Sequence, residues 1–382
     1  MKSKFLITGV AAAAVASTIA MTAPSALADP PSGTYRTYAA VGSDTIQDVW
    51  NALANTGGAL AGDDIASYDA FTTPATTTIK TKAAGATFTR PTGSGEGVKA
   101  LSAVWDSSYA GHAYKGTALV NGEVDFARSS SRPSGTGTAL TYVAFARDAV
   151  SVAYRPTTGL SAGLDLTTSQ LTELYSGVND STNDSGTAAT VAIVSGVPKI
   201  NGVTVAPKIP QSGSGTRSFF LGAIGVTTPA SYVETSTAPS TLAENNGASI
   251  PNGGDLIPFS AAQWIAQTKG TTTSTISGLE IAKVNGSAPT NGLTGASAAP
   301  GPLFGHTDAN GRYDTTPATG VGTFNRDTYN VADTANLGND PVLANALTTD
   351  VKSAAARTTI TNYGFGNLSY AGSTALTGPY VH

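Results

Sequence analysis

Three short segments rich in Gly, Ser and Thr have the composition of an anion-binding loop. They are 42–45 (GSDT), 92–97 (TGSGEG) and 211–216 (QSGSGT), each between a short β-prone run and apolar residues at helical spacing. A helix N-terminus leaves backbone N–H groups without partners, and the aligned peptide dipoles make that end partly positive. Because Gly lets the backbone approach a ligand and Ser and Thr add hydroxyl donors, such segments suit a bound oxyanion.

One such segment alone is also what an ordinary helix N-cap requires. Three of them in one chain favour an anion site built from several loops. Charge-assisted hydrogen bonds contribute about 1.5–3 kcal/mol each, so a few converging donors would reach micromolar affinity, about −8 kcal/mol. In the first segment, Thr45 followed by Asp48 also suits an N-cap box for a helix beginning near Thr45.

The elements that must position these segments alternate between strands and helices. Extended runs are expected at the positions 35–41, 86–90, 149–154, 205–210 and 328–331, and helices after Ile46, Val98, Thr168 and Phe219 and over 340–356. Alternation of this kind predicts an α/β fold with a parallel or mixed sheet. The stretches 179–190, 226–256 and 270–320 are rich in Thr, Ser, Gly, Asn and Pro, which predicts long surface loops.

The composition narrows the possible partners. The 382-residue chain has a net charge of −4 and only 12% charged residues, with no basic run, which argues against nucleic acid or an anionic membrane as a partner. It has no Cys, which excludes disulfides, thiol catalysis and a lipid-modified N-terminal Cys. His112, His306 and His382 are far apart in sequence, so we expect no metal site and no cofactor.

The N-terminal residues have the pattern of a secretory signal. Lys2 and Lys4 precede the apolar stretch 5–20, and 26–28 (ALA) is a small-x-small cleavage motif. We therefore expect residues 1–28 to be removed before Asp29. No later stretch is long and apolar enough to suggest a membrane span, so the sequence predicts an exported, soluble protein without a lipid anchor.

The order of several motifs resembles the phosphate-binding proteins that feed ABC transporters. The similar motifs are 41–50 (VGSDTIQDVW), 93–101 (GSGEGVKAL), 124–131 (VDFARSSS), 148–154 (DAVSVAY), 166–177 (LTTSQLTELYSG) and 212–220 (SGSGTRSFF). The resemblance covers the first half of the mature chain and is loose after that. It implies a two-lobed type 2 periplasmic-binding fold with mixed sheets and a hinge, an extracytoplasmic binding role and an ABC permease as partner. It places residues 29–148 and 321–382 in lobe I and 149–320 in lobe II, and we expect a monomer.

The resemblance also assigns ligand donors to positions of this sequence. The matching positions are Thr45, Ile46, Ser94, Ser214, Gly215 and Thr216. Two positions depart from the family. Ser130 stands where the family has an Asp that accepts the proton of hydrogen phosphate, and Pro210 stands where it has an Arg that pairs with the anion.

These departures leave alternatives open. Ser130 would weaken the discrimination between phosphate and sulfate. Arg128 or Arg217 could replace the missing guanidinium, although each is also suited to an ordinary ion pair or surface position. Asp44 could accept a proton from the ligand or cap the first helix, and capping is the usual role of such a residue.

Two other functions compete with solute binding. An enzyme such as a phosphoesterase would use Ser94 or Ser214 as its nucleophile, but neither lies in a GxSxG motif and no His stands in a triad context, so we expect no enzyme activity. A secreted surface or matrix protein could keep the fold without a transport role. The absent lipid anchor and the two departures at the site favour this second alternative.

Overall fold

The computed structural model describes residues 29–55, 57–72, 74–184, 188–236 and 242–382. The expected signal peptide, 1–28, lies outside these residues and stays a prediction. In the part of the chain that is described, no helix is long and apolar enough to cross a membrane.

The described residues form an α/β structure. Its helices are α1 (Gln47–Ala54), α2 (Ser94–Trp105), α3 (Thr168–Ser176), α4 (Gly215–Ile224), α5 (Ala261–Lys269), α6 (Thr334–Asn339), α7 (Pro341–Thr348) and α8 (Ala354–Asn362). Its strands are β1 (Tyr38–Gly42), β2 (Ile65–Ser67), β3 (Thr78–Lys80), β4 (Thr87–Thr89), β5 (Ala113–Tyr114), β6 (Thr117–Ala118), β7 (Phe126–Ser129), β8 (Leu140–Tyr154), β9 (Asp165–Leu166), β10 (Val191–Val194), β11 (Val197–Ile200), β12 (Val203–Thr204), β13 (Ala206–Ile209), β14 (Glu234–Thr235), β15 (Asp255–Ser260), β16 (Glu280–Ile281), β17 (Lys283–Val284), β18 (Asn325–Asp333), β19 (Gly366–Asn367) and β20 (Leu376–Gly378).

One mixed sheet of 11 strands organises the fold, with the main order β14-β13-β15-β8-β18-β7-β1-β2. Parallel pairs lie at both ends of this order, where β1 pairs with β2 and β7, and β13 with β14 and β15. Strands β8 and β18 run antiparallel in the middle, from Asn325 opposite Ala149 to Asp333 opposite Leu140. The predicted α/β class with a mixed sheet is therefore confirmed.

Strand β8 is the central element because all of its 15 residues are buried. A strand covered on both faces reads as a nearly continuous apolar run, which is why 149–154 (AVSVAY) was recognisable in the sequence. β8 passes through the expected lobe boundary at position 148. Strands of the expected lobe I lie on one side of it and those of lobe II on the other, while the boundaries themselves stay a prediction.

The ends of α3, α7 and α8 differ in part from the helix ends that the sequence predicted. Thr167, not Thr168, caps α3, through a capping box with Gln170, and Gly177 ends the helix as expected. The expected helix over 340–356 is two helices, α7 and α8, separated by a 3₁₀ turn at Asp350–Lys352. Asp340 and Ser353 each accept backbone N–H bonds at the start of one of them, so each side chain begins a new helix.

Helices α2 and α4 begin four residues earlier than the apolar spacing indicated. Ser94 and Gly215 are the first residues of these helices, so both Gly/Ser segments contribute their first turns. Apolar periodicity cannot detect such a turn, because the first turns 94–97 (SGEG) and 215–218 (GTRS) contain no apolar side chain.

Helix α2 packs against β1 through two glycines without side chains between them. An ideal Cβ on Gly97 would lie 2.6 Å from the Cα of Gly42, and one on Gly42 would lie 2.7 Å from the carbonyl oxygen of Arg128. Gly42 also has a φ of 111°, in the region that favours glycine. The close approach fixes the start of α2 beside the ends of β1 and β7.

We predict that Gly97→Ala lowers the free energy of unfolding by about 1–3 kcal/mol, because backbone atoms would have to move to admit the methyl group. Gly338→Ala in α6 is the matched control, since no atom lies within 4 Å of its Cβ position. Urea denaturation of the three proteins measures both effects. Equal midpoints for Gly97→Ala and the parent chain would contradict the requirement for a glycine.

Candidate functional site

A cavity of about 360 Å³ lies where α2, α4 and the segment after β7 meet. Hydroxyl-bearing side chains dominate its polar wall: Ser94, Ser129, Ser130, Ser131, Ser134, Ser212, Ser214 and Ser218. The second and third Gly/Ser segments both reach this cavity, as the sequence predicted. The first segment, 42–45, does not line it.

Direct contacts hold the second and third segments together. The N–H of Gly95 donates to the carbonyl oxygen of Gly213 at 3.2 Å, and Gln211 Nε2 donates to the carbonyl oxygen of Thr92 at 2.8 Å. These bonds bring the N-termini of α2 and α4 to the same place. Two partly positive helix ends therefore face one cavity.

Ser94, Ser130 and Gly215 form the floor of the cavity. Ser94 Oγ accepts the N–H of Ser130 at 2.9 Å and lies 3.1 Å from Ser130 Oγ. An ideal Cβ on Gly215 would lie 2.4 Å and 2.5 Å from these two hydroxyl oxygens. Glycine is thus required at 215 for the first turn of α4 to approach the hydroxyls.

The remaining predicted donors of the third segment are tied into α4. Ser214 is the N-cap residue, and its side chain accepts the N–H of Arg217 at 3.1 Å. Thr216 Oγ1 accepts a hydrogen bond from Arg326 Nη2 at 2.8 Å. The hydroxyls of both residues and the N–H of Arg217 therefore have protein partners. This leaves the N–H groups of Gly215 and Thr216 as the first-turn donors that a helix does not satisfy internally.

Arg326, on β18, supplies the buried positive charge at this cavity. The side chain lines the cavity, and the residue is 3% exposed. Its Nε and Nη2 donate to Asp148 Oδ2 at 3.1 and 2.8 Å, and its guanidinium lies 5.4 Å from the ring centroid of Phe219. Among the residues that the structure describes, Nη1 has no hydrogen-bond partner. The guanidinium of this buried cation therefore has one nitrogen that no acceptor of the described residues satisfies.

Sequence reasoning did not identify Arg326. The sequence did contain a signal. Arg326 and Asp327 directly precede the expected strand 328–331, and this strand, β18, lies in the middle of the sheet. Charged residues in a buried strand need partners or a ligand.

The first segment takes a different role from the one predicted. Thr45 and Ile46 are buried, and Thr45 Oγ1 donates to Glu244 Oε1 at 3.3 Å. Gln263 Nε2 donates to the carbonyl oxygen of Thr45 at 2.6 Å, and Asn245 Nδ2 to that of Asp44 at 3.4 Å. The segment 244–245 therefore covers the N-terminus of α1 with protein groups, away from the cavity.

Asp44 and Thr45 do not cap α1. The N-cap residue is Ile46, and no side chain makes the capping bond, so both the capping role of Asp44 and the box of Thr45 with Asp48 were wrong. The reason is that Thr45 bonds Glu244 instead. Burial, and then the nearby Glu244 carboxylate, raise the pKa of Asp44 well above its usual range.

Neither arginine proposed as a replacement for the family guanidinium lines the cavity. Arg128 is fully buried and donates to Ser67 Oγ at 2.8 Å and to the carbonyl oxygen of Tyr68 at 2.6 Å. Burial lowers its pKa to about 10. Arg217 Nη1 donates to the carbonyl oxygen of Pro210 at 2.8 Å. Both side chains thus stabilise local backbone.

The described residues hold no group of three His, Cys, Asp or Glu side chains that could hold a metal ion. The three histidines lie outside the cavity wall: His112 bonds the carbonyl oxygen of Ala103, His306 bonds Asp314 and His382 bonds Asp106.

No family model and no curated protein matches the chain. Several solved structures do. An ABC-type phosphate transport receptor from Vibrio cholerae is 13% identical, with 86% of this chain and 98% of that chain covered at a TM-score of 0.49. A phosphate-binding protein from Stenotrophomonas maltophilia is 16% identical, with 88% and 91% covered at 0.48. PstS from Borrelia burgdorferi is 14% identical, with 87% and 98% covered at 0.40.

We predict that raising the pH from 5 to 8 lowers the free energy of unfolding, and that Glu244→Gln reduces this drop. Asp44 has a folded-state pKa above its unfolded value, so its protonated form stabilises the fold at low pH and this stability is lost as the pH rises. Burial also raises the pKa of Asp69 and of Asp125 to about 6, so their contributions have the same sign and remain in the variant.

Urea denaturation at pH 5, 6, 7 and 8 measures the slope. Glu234→Gln is the control, because Glu234 is mostly exposed in its ion pair with Lys208, and this change should leave the slope as in the parent chain. An unchanged slope in Glu244→Gln would show that Glu244 does not act on Asp44.

Proposed function

We propose that this chain is an extracytoplasmic solute-binding protein that holds a phosphate-like oxyanion in the cavity between α2 and α4. The observation that carries the proposal is the buried Arg326, which lines a cavity floored by Ser94, Ser130 and the first turn of α4 and whose Nη1 has no hydrogen-bond partner among the described residues. A buried cation with an unused donor is stabilised when an anion supplies the acceptor.

The charges around the cavity favour an anion although the chain as a whole is acidic. Asp148 compensates Arg326, but Lys99 and Arg132 also line the cavity. The one carboxylate in the wall, Asp327, is paired with Arg147 at 2.8 Å and accepts the hydroxyl of Tyr370 at 2.7 Å. The local excess of positive charge attracts an anion despite the net charge of −4.

Binding without turnover is part of the proposal. Ser94, which an esterase mechanism would use as nucleophile, is bonded to the hydroxyl and N–H of Ser130, and Ser214 serves as a helix cap. Neither bond supplies a general base. Export, closure of two lobes about a hinge, a monomeric state and delivery to an ABC permease belong to the same proposal, supported by the signal-like N-terminus and the motifs.

We predict that Arg326→Lys weakens inorganic phosphate binding about 10- to 100-fold, because an ammonium can pair with Asp148 but cannot reproduce both edges of the guanidinium. Isothermal titration calorimetry with phosphate measures the change in Kd. Arg147→Lys is the matched control, since it alters the neighbouring buried Arg–Asp pair, whose arginine does not line the cavity. If both variants lose affinity equally, Arg326 acts only through stability.

A second prediction concerns the choice between phosphate and sulfate. The parent chain should bind both within about tenfold, and Ser130→Asp should weaken sulfate about 10- to 100-fold more than phosphate, because only hydrogen phosphate can donate a proton to the new carboxylate. Ser134→Asp is the control, since it adds the same charge at the exposed rim and should affect both anions alike. A parent chain that already excludes sulfate would contradict the predicted effect of Ser130.

A further inference from the structure

The cavity is much larger than the oxyanion that its floor would hold. A phosphate ion occupies the space of about two or three water molecules, at about 30 Å³ each, whereas the cavity measures about 360 Å³. This volume falls in the range of pockets for small organic ligands, about 300–1,000 Å³. Most of the cavity therefore lies beyond the anion.

The part of the cavity that a bound phosphate ion would leave empty lies along one face of α4. Gly215, Ser218, Phe219, Gly222 and Ala223 all line the cavity, at the spacing of residues that share a helix face. From Gly215 to Ala223 the helix rises about 12 Å, at about 1.5 Å per residue. An anion at the N-terminus of α4 would leave the second turn of this face uncovered.

The residues of the second turn that line the cavity, Phe219, Gly222 and Ala223, have no polar side chain. Pro317, Ala318, Thr319 and Thr323 of the segment before β18 and Val98 of α2 line the same cavity. No atom lies within 4 Å of an ideal Cβ on Gly222, so open space adjoins the helix there. Polar donors at one end and apolar groups along the rest are what a ligand with an anionic head and an apolar body requires.

We propose that the ligand is a phosphomonoester with a compact apolar group, no larger than about one aromatic ring. Its phosphoryl head lies at Arg326, Ser94, Ser130 and the first turn of α4. Its organic group lies along the second turn, against Phe219 and Ala223. This inference rests on the proposed function, because it places the head at the proposed anion site.

Calorimetric titration with phenyl phosphate, inorganic phosphate and phenol tests the inference on the full mature chain. Phenyl phosphate should bind about 10- to 100-fold more tightly than inorganic phosphate, because its ring leaves water as it enters the apolar part. Phenol should bind far more weakly than phenyl phosphate, because it has no anionic head.

Gly222→Leu should fill the apolar part without a clash and leave the floor intact. The variant should bind phenyl phosphate no more tightly than inorganic phosphate, with inorganic phosphate within about threefold of the parent chain. Gly338→Leu is the matched control, a helical glycine with open space outside the cavity, and it should change neither affinity.

The outcomes separate the two proposals. Inorganic phosphate that binds as tightly as phenyl phosphate in the parent chain overturns this inference and keeps the proposed function. Binding of neither anion overturns both. Phenol that binds as tightly as phenyl phosphate overturns the placement of an anionic head, and an unchanged advantage of phenyl phosphate in Gly222→Leu overturns the placement of the ring.

Discussion

The buried ion pair between Arg326 and Asp148 connects the central strands β8 and β18 to the first turns of α4 and α5. Asp148 Oδ1 accepts bonds from Ser260 Oγ at 3.0 Å and from the N–H of Ala262 at 3.1 Å, at the start of α5, while its Oδ2 accepts from Arg326. Arg326 in turn donates to Thr216 in the first turn of α4. Removing one partner of such a pair costs about 3–5 kcal/mol, because the other charge is left buried. The pair thus fixes two helix starts against the central strands, and the geometry that satisfies Asp148 leaves Nη1 without a hydrogen-bond partner among the described residues.

The first and third Gly/Ser segments show that a loop's composition does not decide its function. Both precede a helix and both have Gly, Ser and Thr, but the partner that folds against each one differs. Glu244 covers the first segment, beside Asp44, whose pKa is raised by burial and by the Glu244 carboxylate, so this helix end already faces acidic groups of the chain itself. The third segment faces Ser94, Ser130 and open space. Of these two helix starts, the one that follows the third segment is therefore where the proposed anion is placed.

The sequence predicted the elements that local pattern determines. The apolar run of β8 and the Gly that ends α3 could be inferred, because each depends on neighbouring residues. The second and third segments lie 119 positions apart where Gln211 bonds Thr92, so their meeting was expected from their shared composition and not from a local pattern. Arg326 and Glu244 could not be identified as partners. Arg326 pairs with a residue 178 positions away, and Glu244 contacts one 199 positions away. No periodicity specifies which of several charged residues meets another over such a separation, so the cation and the covered loop emerged only from the tertiary structure.

Packing requires a glycine at one position of α4 and does not require it at another, and this difference bears on the kind of ligand that fits the cavity. Gly215 is required by packing, since a Cβ there would collide with two serine hydroxyls. Gly222 is not, because open space surrounds its Cβ position. A glycine in a helix interior is less stable than alanine by about 0.5–1 kcal/mol, so packing and helix propensity would both favour a larger residue at 222. The glycine at this exposed position leaves open the space beside the cavity that a side chain would occupy. That volume adjoins apolar groups rather than the hydroxyl floor, so it suits the organic part of a ligand and adds nothing for a bare oxyanion.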